Sequence, residues 1–244
     1  MFFGEEEKQL SGAKNNKNGR RWIVWAAAAA LVLIAAAAAV IIPSLFRQNE
    51  VPPQLAPLKL SEGTTAKAEY GYVDTEIPKE LEPYTEREMF SRGDTVIFRG
   101  SCFGVCNVIV DFNGEKECYC ILQIGVKKVY KGSLAEDSAV EILVPHGIDL
   151  TAPYTDETDV ISRVSSAIDC IFMAVLYDGG SRIEKNGAVL MLKDLADCGL
   201  PDGTRWVFLA TDEGLVFDRE AYPGARDAVN LDRIEKYVLE MLNK

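Results

Sequence analysis

The chain predicts a mainly β fold, a five-stranded Greek-key barrel closed by an amphipathic helix and carried on one N-terminal membrane helix. Three observations lead there. Residues Trp22 to Ile42 run for 21 positions without a charge, an amide or a hydroxyl. From Val96 onward, apolar residues recur at every second position along two long segments. Near the end, Asn230 precedes Leu231, Ile234, Val238, Met241 and Leu242 at helical spacing.

The apolar run comes first. At about 1.5 Å rise per residue it spans roughly 31 Å, the thickness of a bilayer's hydrocarbon core. Arg20, Arg21, Trp22 and Trp25 mark one interface, and Pro43 closes the other end. Lys8, Lys14, Lys17, Arg20 and Arg21 precede the run, whereas only Arg47 and Lys59 are basic in the twenty residues after it. That asymmetry predicts a single-pass cell-membrane protein with a cytoplasmic N-terminus and an extracytoplasmic C-terminal part. Cleavage as a signal peptide is the competing expectation, because Ala35 to Ala39 offers small residues at every cleavage offset. Signal h-regions run to about 7–15 residues, shorter than this one, which favours a retained anchor.

The expected organisation is a short cytoplasmic tail (1–21), a transmembrane anchor (22–42), a proline-containing stalk (43–84) and a β domain (85–244). Pro52, Pro53, Pro57, Pro78 and Pro83 fall in the stalk, where neither a helical nor a strand period is visible. Beyond residue 46 the chain holds 21 Lys+Arg against 34 Asp+Glu, a net charge of −13. A field of that sign repels polyanions, so nucleic acid is not an expected partner.

Within the β domain, Thr85 caps a short helix to Ser91, with Glu86 and Glu88 in its first turn. Val96, Phe98, Gly100, Cys102, Gly104, Cys106, Val108, Val110 and Phe112 then share one strand face. Asn113-Gly114 marks a hairpin. The return strand presents Cys118, Cys120, Leu122, Ile124 and Val126 on one face, and Gly100, Gly104 and Gly125 suggest bulges that curl the sheet. Ala139–Val144 is a third strand, 149–159 a polar loop and Val160–Ala167 a short helix. Ile168–Tyr177 is a buried strand stopped by Asp178-Gly179-Gly180, and Leu192–Cys198 a helical turn ended by Gly199. Arg205–Ala210 and Gly214–Phe217 form a hairpin around Thr211-Asp212-Glu213. The helix at 231–243 packs its apolar stripe on the barrel's open end or side.

Two long strands in a bulged hairpin, a third strand, a helical excursion and two more strands match the OB type of barrel. The succession Val96-Ile97-Phe98-Arg99-Gly100, Lys127-Lys128-Val129-Tyr130-Lys131-Gly132 and Val140–Val144 resembles the OB barrel of netrin-like and TIMP-like domains over about residues 95–145. The resemblance implies fold alone. The N-terminal cysteine that serves protease inhibition in TIMPs has no counterpart before the first strand.

All six cysteines, 102, 106, 118, 120, 170 and 198, follow the anchor. Buried reduced thiols are one expectation, since cysteine packs as a small hydrophobe; bridges in an oxidising compartment are the other. A two-residue turn at Asn113-Gly114 would set core-face residues against solvent-face ones, which strict alternation forbids. A three-residue loop instead places Cys106 opposite Cys120, the candidate disulfide. A rival register sets Cys106 against Leu122. Zinc held by Cys102, Cys106, Cys118 and Cys120 is disfavoured, because structural zinc uses tight knuckles rather than long strands. No metal or cofactor is expected.

His146 is the single histidine. His146, Cys198 and Arg205 on an anchored β-barrel resemble the catalytic trio of sortase transpeptidases. Cys198 lies in Asp194-Leu195-Ala196-Asp197-Cys198-Gly199, however, not in the family's Thr-Leu-x-Thr-Cys motif. Asp149, Asp156, Glu157 and Asp159 lack the order and glycine of an EF-hand loop. Arg92-Gly93-Asp94 matches an adhesion tripeptide but reads as a turn entering a strand. The primary expectation is therefore a non-enzymatic, membrane-tethered binding module. Its protein, peptide or glycan partner would meet a strand face or the loop containing Asp149, Tyr154, Asp156, Glu157 and Asp159. A sortase-like enzyme is the alternative.

Overall fold

The computed structural model describes residues 58–69, 83–149 and 159–244, all within the unit Pro53–Lys244. The tail, the anchor, much of the stalk, and Tyr154, Asp156 and Glu157 lie outside the described residues. Among the described residues no helix is long and apolar enough to cross a membrane.

The fold is mainly β. In chain order the strands are β1 (Leu58–Lys59), β2 (Thr64–Glu69), β3 (Thr95–Phe112), β4 (Glu115–Lys131), β5 (Ala139–Val144), β6 (Asp169–Leu176), β7 (Arg182–Lys185), β8 (Ala188–Met191), β9 (Cys198–Gly199), β10 (Val207–Thr211) and β11 (Gly214–Val216). Two α-helices accompany them, α1 (Glu86–Ser91) and α2 (Leu231–Leu242). Because β3 pairs with both β4 and β6, the strands β3-β4-β5-β9-β6 hydrogen-bond in a ring. The β5–β9 pair is parallel and every other pair in the ring antiparallel. β10 and β11 extend the sheet from β6, β2 and β1 extend it from β3, and β7–β8 form a separate hairpin.

One residue in β3 governs the architecture. Cys102 pairs with Ile124 and Gly104 with Gln123, which leaves Phe103 unpaired as a bulge. Before it, Val96, Phe98 and Cys102 point into the main core. After it the sides exchange. Val105 packs on the main core, while Val108, Val110 and Phe112 enter a second core with Tyr119, Leu143, Ala188, Leu190 and Leu195. An unbroken alternation in sequence therefore serves two cores on opposite faces.

This corrects the hairpin register. Asn113 (φ 51°) and Gly114 (φ 98°) form a two-residue turn with both residues left-handed. The turn pairs Cys106 with Ile121 and Cys120 with Asn107, so the two cysteines leave opposite faces of the β3–β4 ribbon. The expected Cys106–Cys120 bridge is absent, and all six cysteines are free. The odd register is allowed because both faces of the ribbon are covered.

Three further expectations are revised. Part of the segment read as stalk, Thr64–Glu69, is a strand on β3, with Ala66 buried in the second core. Its small, alternating residues suit a position covered on one side. The turn after Asp159 is a 3-10 helix, Val160–Arg163, rather than a helix to Ala167. Gly199 does not end a helix but lies in β9, where a Cβ would overlap the Tyr177 hydroxyl.

Both helices lie against the outside of the ring. The Thr85 side chain accepts from Glu88 N while Glu88 returns to Thr85 N, a complete capping box for α1. Asn230 caps α2 by accepting from Arg233 N at 3.1 Å. The apolar stripe of α2 joins the main core through Leu231, Ile234 and Val238. Its inner flank is tied by Arg99 to Asp232 at 2.9 Å, and by Tyr130 to Glu235 at 2.8 Å. Tyr222, fully buried between Phe90, Phe208 and Tyr237, joins the helices to β10.

Candidate functional site

The three residues of the sortase-like trio are each committed to a different partner. The Cys198 thiol is buried in β9 and donates to the Glu141 carbonyl at 3.6 Å. Burial, then the Asp197 carboxylate, push it up to about 12, so it stays protonated at neutral pH and is a poor nucleophile. The Arg205 guanidinium forks onto Asp202, with Nε at 3.0 Å and Nη2 at 2.8 Å. Trp206 Nε1 donates to the same oxygen at 2.9 Å. That cluster is buried and shaped as a structural ion pair.

His146 Nε2 stands 2.9 Å from Asp159 Oδ2, with both side chains only 3 % exposed. The other Asp159 oxygen caps the 3-10 helix through Ser162 N and Oγ. A Cβ at Gly203 would overlap the Asp159 carboxylate, so glycine there makes room for the pair. Close by in the chain, Asn107 clasps Ile148 in both directions, at 2.7 and 2.9 Å. These two buried contacts hold both roots of the 149–159 loop. The Asp159 carboxylate is thus buried, and Asp149 is half-buried.

Of the remaining thiols, Cys102, Cys120 and Cys170 are buried, and Cys106 and Cys118 are half-buried. Burial raises Cys102, Cys120 and Cys170, and pushes half-buried Cys118 up to about 11 with help from Glu69. Among the described residues no three His, Cys, Asp or Glu side chains are grouped to hold a metal ion. The Arg92-Gly93-Asp94 tripeptide is spent on itself. Arg92 forks onto Asp94 at 3.0 and 2.7 Å and lies over the Tyr84 ring at 5.0 Å.

An open groove of about 440 Å³ lies beside the C-terminal root of that loop, within the range of small-ligand and side-chain sites. One wall is the turn from Ser162 to Ala167, the other the tip of the β10–β11 hairpin at Thr211, Asp212 and Glu213. Ala167 is left-handed at φ 70°, a conformation that costs a residue with a Cβ about 1 kcal/mol. Cys102 holds it there: Ala167 N donates to the Cys102 carbonyl at 2.7 Å, and Cys102 N to the Ile168 carbonyl at 3.0 Å. The β3–β6 pairing ends at Ser101↔Asp169, and beyond it Ala167 and Ile168 together face Cys102 as a bulge. Phe103 is 54 % exposed, unusual for phenylalanine.

Neither Phe103 nor the Asp212–Glu213 pair stands out in the sequence. Gly100 and Gly104 signal bulging in this stretch, but not which neighbour is expelled, and Asp212-Glu213 reads as ordinary turn chemistry. The hairpin tip meets the 162–167 turn only because β10 pairs with β6. No protein-family model, no curated protein and no solved structure matches this chain.

Proposed function

We propose that this chain is a non-enzymatic binding module, an OB-like five-stranded barrel held outside the cytoplasm by a membrane anchor at residues 22–42. The barrel reading is supported by the ring order β3-β4-β5-β9-β6 and its single parallel pair, with the two long strands first and joined by a bulged hairpin. The anchor, the orientation and the extracytoplasmic location rest on the apolar run and its flanking charges. Protein, peptide and glycan are the partner classes considered; nucleic acid is disfavoured by the acidic exterior.

The observation that carries the reading is the contrast between sealed chemistry and an open surface. Each thiol is buried or half-buried and proton-retaining where a shift is resolved, and the histidine is sealed with an aspartate. The groove between the 162–167 turn and the β10–β11 hairpin is open. OB barrels commonly hold ligands on the face of their second and third strands, between the first hairpin and the loop joining the last two strands. Here that last loop folds into β7–β8 and docks on the β3–β4 turn. Asn186 donates to the Phe112 and Asn113 carbonyls, at 2.9 and 3.0 Å, and Asn113 donates back to Asn186 at 3.1 Å. With that docking filled by the chain's own second core, the groove on the other side is the better candidate.

Maleimide labelling of the full chain in bilayers tests the reading. The buried thiols should remain unlabelled at neutral pH and label together only on denaturation. Rapid labelling of Cys198 in the folded chain would turn the assignment toward a thiol enzyme. A C-terminal tag shielded inside intact cells would remove the extracytoplasmic placement.

A further inference from the structure

We propose that Asn113 is a self-modification site, at which the Gly114 nitrogen converts the side-chain amide to a carboxylate and so loosens the β7–β8 hairpin. The proposal goes beyond the binding-module reading and does not depend on it.

The β3–β4 and β7–β8 hairpins meet at their turns, and each turn is an Asn-Gly pair. Asn113 (φ 51°), Gly114 (φ 98°), Asn186 (φ 47°) and Gly187 (φ 69°) are all left-handed, as two-residue turns of this kind require. All four are exposed to water. The two asparagines clasp each other. Asn186 Nδ2 donates to the Phe112 and Asn113 carbonyls, and Asn113 Nδ2 donates to the Asn186 carbonyl at 3.1 Å. Behind the clasp, Ala188 and Leu190 are buried in the second core with Phe112. Lys185 adds ion pairs to Glu115, at 2.8 Å, and to Glu117.

An asparagine followed by glycine carries an electrophile and a nucleophile within one peptide unit, and glycine has no side chain to shield its nitrogen. At Asn113 that nitrogen also faces a base, because Gly114 N donates to Asp111 Oδ1 at 2.5 Å. Among the described residues no side chain accepts from Gly187 N, so the two Asn-Gly pairs differ. The Gly114 nitrogen bonds to Asn113 Cγ as the Cγ–Nδ2 bond breaks. Asp111 takes the Gly114 proton, a proton passes to Nδ2, and ammonia leaves. Water then opens the five-membered imide at one carbonyl or the other, giving aspartate or isoaspartate; nothing is oxidised or reduced. While the hairpins are docked, the Asn186 carbonyl holds the Asn113 amide, so the step follows local opening of the clasp. Neither product closes it again. A carboxylate has no proton to give the Asn186 carbonyl, and isoaspartate adds a backbone carbon to a two-residue turn. The junction is close-packed, for a Cβ at Gly63 would lie 2.9 Å from Asn113 Oδ1.

The test incubates the full chain in phosphatidylcholine nanodiscs at mildly alkaline pH and follows it by tryptic peptide mass. Asn113 and Asn186 fall in separate peptides, 100–116 and 186–193, and fragment ions separate Asn113 from Asn107. Asn113 should convert at least about fivefold faster than Asn186, because only its glycine nitrogen faces a base. Asn186→Gly keeps a left-handed turn but removes the clasp's side-chain donors, and should speed conversion of Asn113 about fivefold. Asp111→Asn should slow it at least about fivefold, whereas a turn merely loosened by that change would convert faster. Asn113→Asp, standing for the product, should raise hydrogen exchange in β7–β8 about fivefold while β6 and β10 stay protected. Equal rates at Asn113 and Asn186, an intact Asn113 in Asn186→Gly, or conversion undiminished in Asp111→Asn would overturn the assignment. Unchanged exchange in Asn113→Asp would do the same. None of these results touches the binding-module reading.

Discussion

The two halves of β3 carry the same alternating pattern and obey it toward opposite sides. Up to Cys102 the even-numbered residues fill the ring; beyond Phe103 residues of the same parity fill a separate core under β7–β8. Period-two alternation specifies which residues share a side, but not that the side stays the same along 18 residues. One extra residue is enough to make a single strand the wall of two compartments.

Phe98→Ala should cost about 3–5 kcal/mol, because Phe98 is fully buried against Phe172 in the core that all ring strands share. Chemical denaturation would show a single transition moved to lower denaturant. Phe112→Ala removes an equally buried ring from the smaller core and should cost about 3 kcal/mol. Its hydrogen-exchange signature should differ, with protection lost first in β2 and β7–β8 while β6 and β10 stay protected. Uniform loss of protection would mean that the two cores unfold as one.

A milder probe concerns the outer face of the first half. Burial opposes ionisation of Asp169, but Lys127 and Arg99 outweigh it and hold its carboxyl below the usual range. The Lys128 ammonium, then the Tyr130 hydroxyl, keep Glu235 low despite some burial. Folded values below unfolded ones stabilise the protein above the unfolded pKa, and the gain fades as pH falls through the folded values. The docking of α2 should therefore weaken below about pH 4. The effect is small, at most about 1 kcal/mol for such partly exposed pairs. An Asp169→Asn variant should show a shallower acid transition. The smallest effect is expected at the cap of α1, where Thr85→Ala should cost about 1 kcal/mol, read as a fall in melting temperature.

These comparisons also explain what could be read from residues alone. The capped α2, the Asn113-Gly114 turn and the strands β3 to β6 were legible because each has a local cause, a cap, a left-handed pair or a period. β2 was hidden because Thr64–Glu69 has little apolar content and rests on a core supplied by distant segments. β9 was hidden because two residues show no period, and Gly199 is present for the Tyr177 hydroxyl rather than for a turn. The candidate site was less legible still. The buried His146–Asp159 pair looked like a loop histidine and a loop carboxylate, since nothing in either neighbourhood reveals that Gly203 opens a cell for them.

The ring also sets an order of events for a growing chain. Thr95 must wait for Val175, and the seam between β5 and β6 closes only when Cys198 and Gly199 arrive. Until then β3 and β4 make a long hairpin with one unsatisfied side, and such distant pairings form slowly. In a polypeptide emerging N-terminus first, the ring therefore closes only after residue 199 has been released.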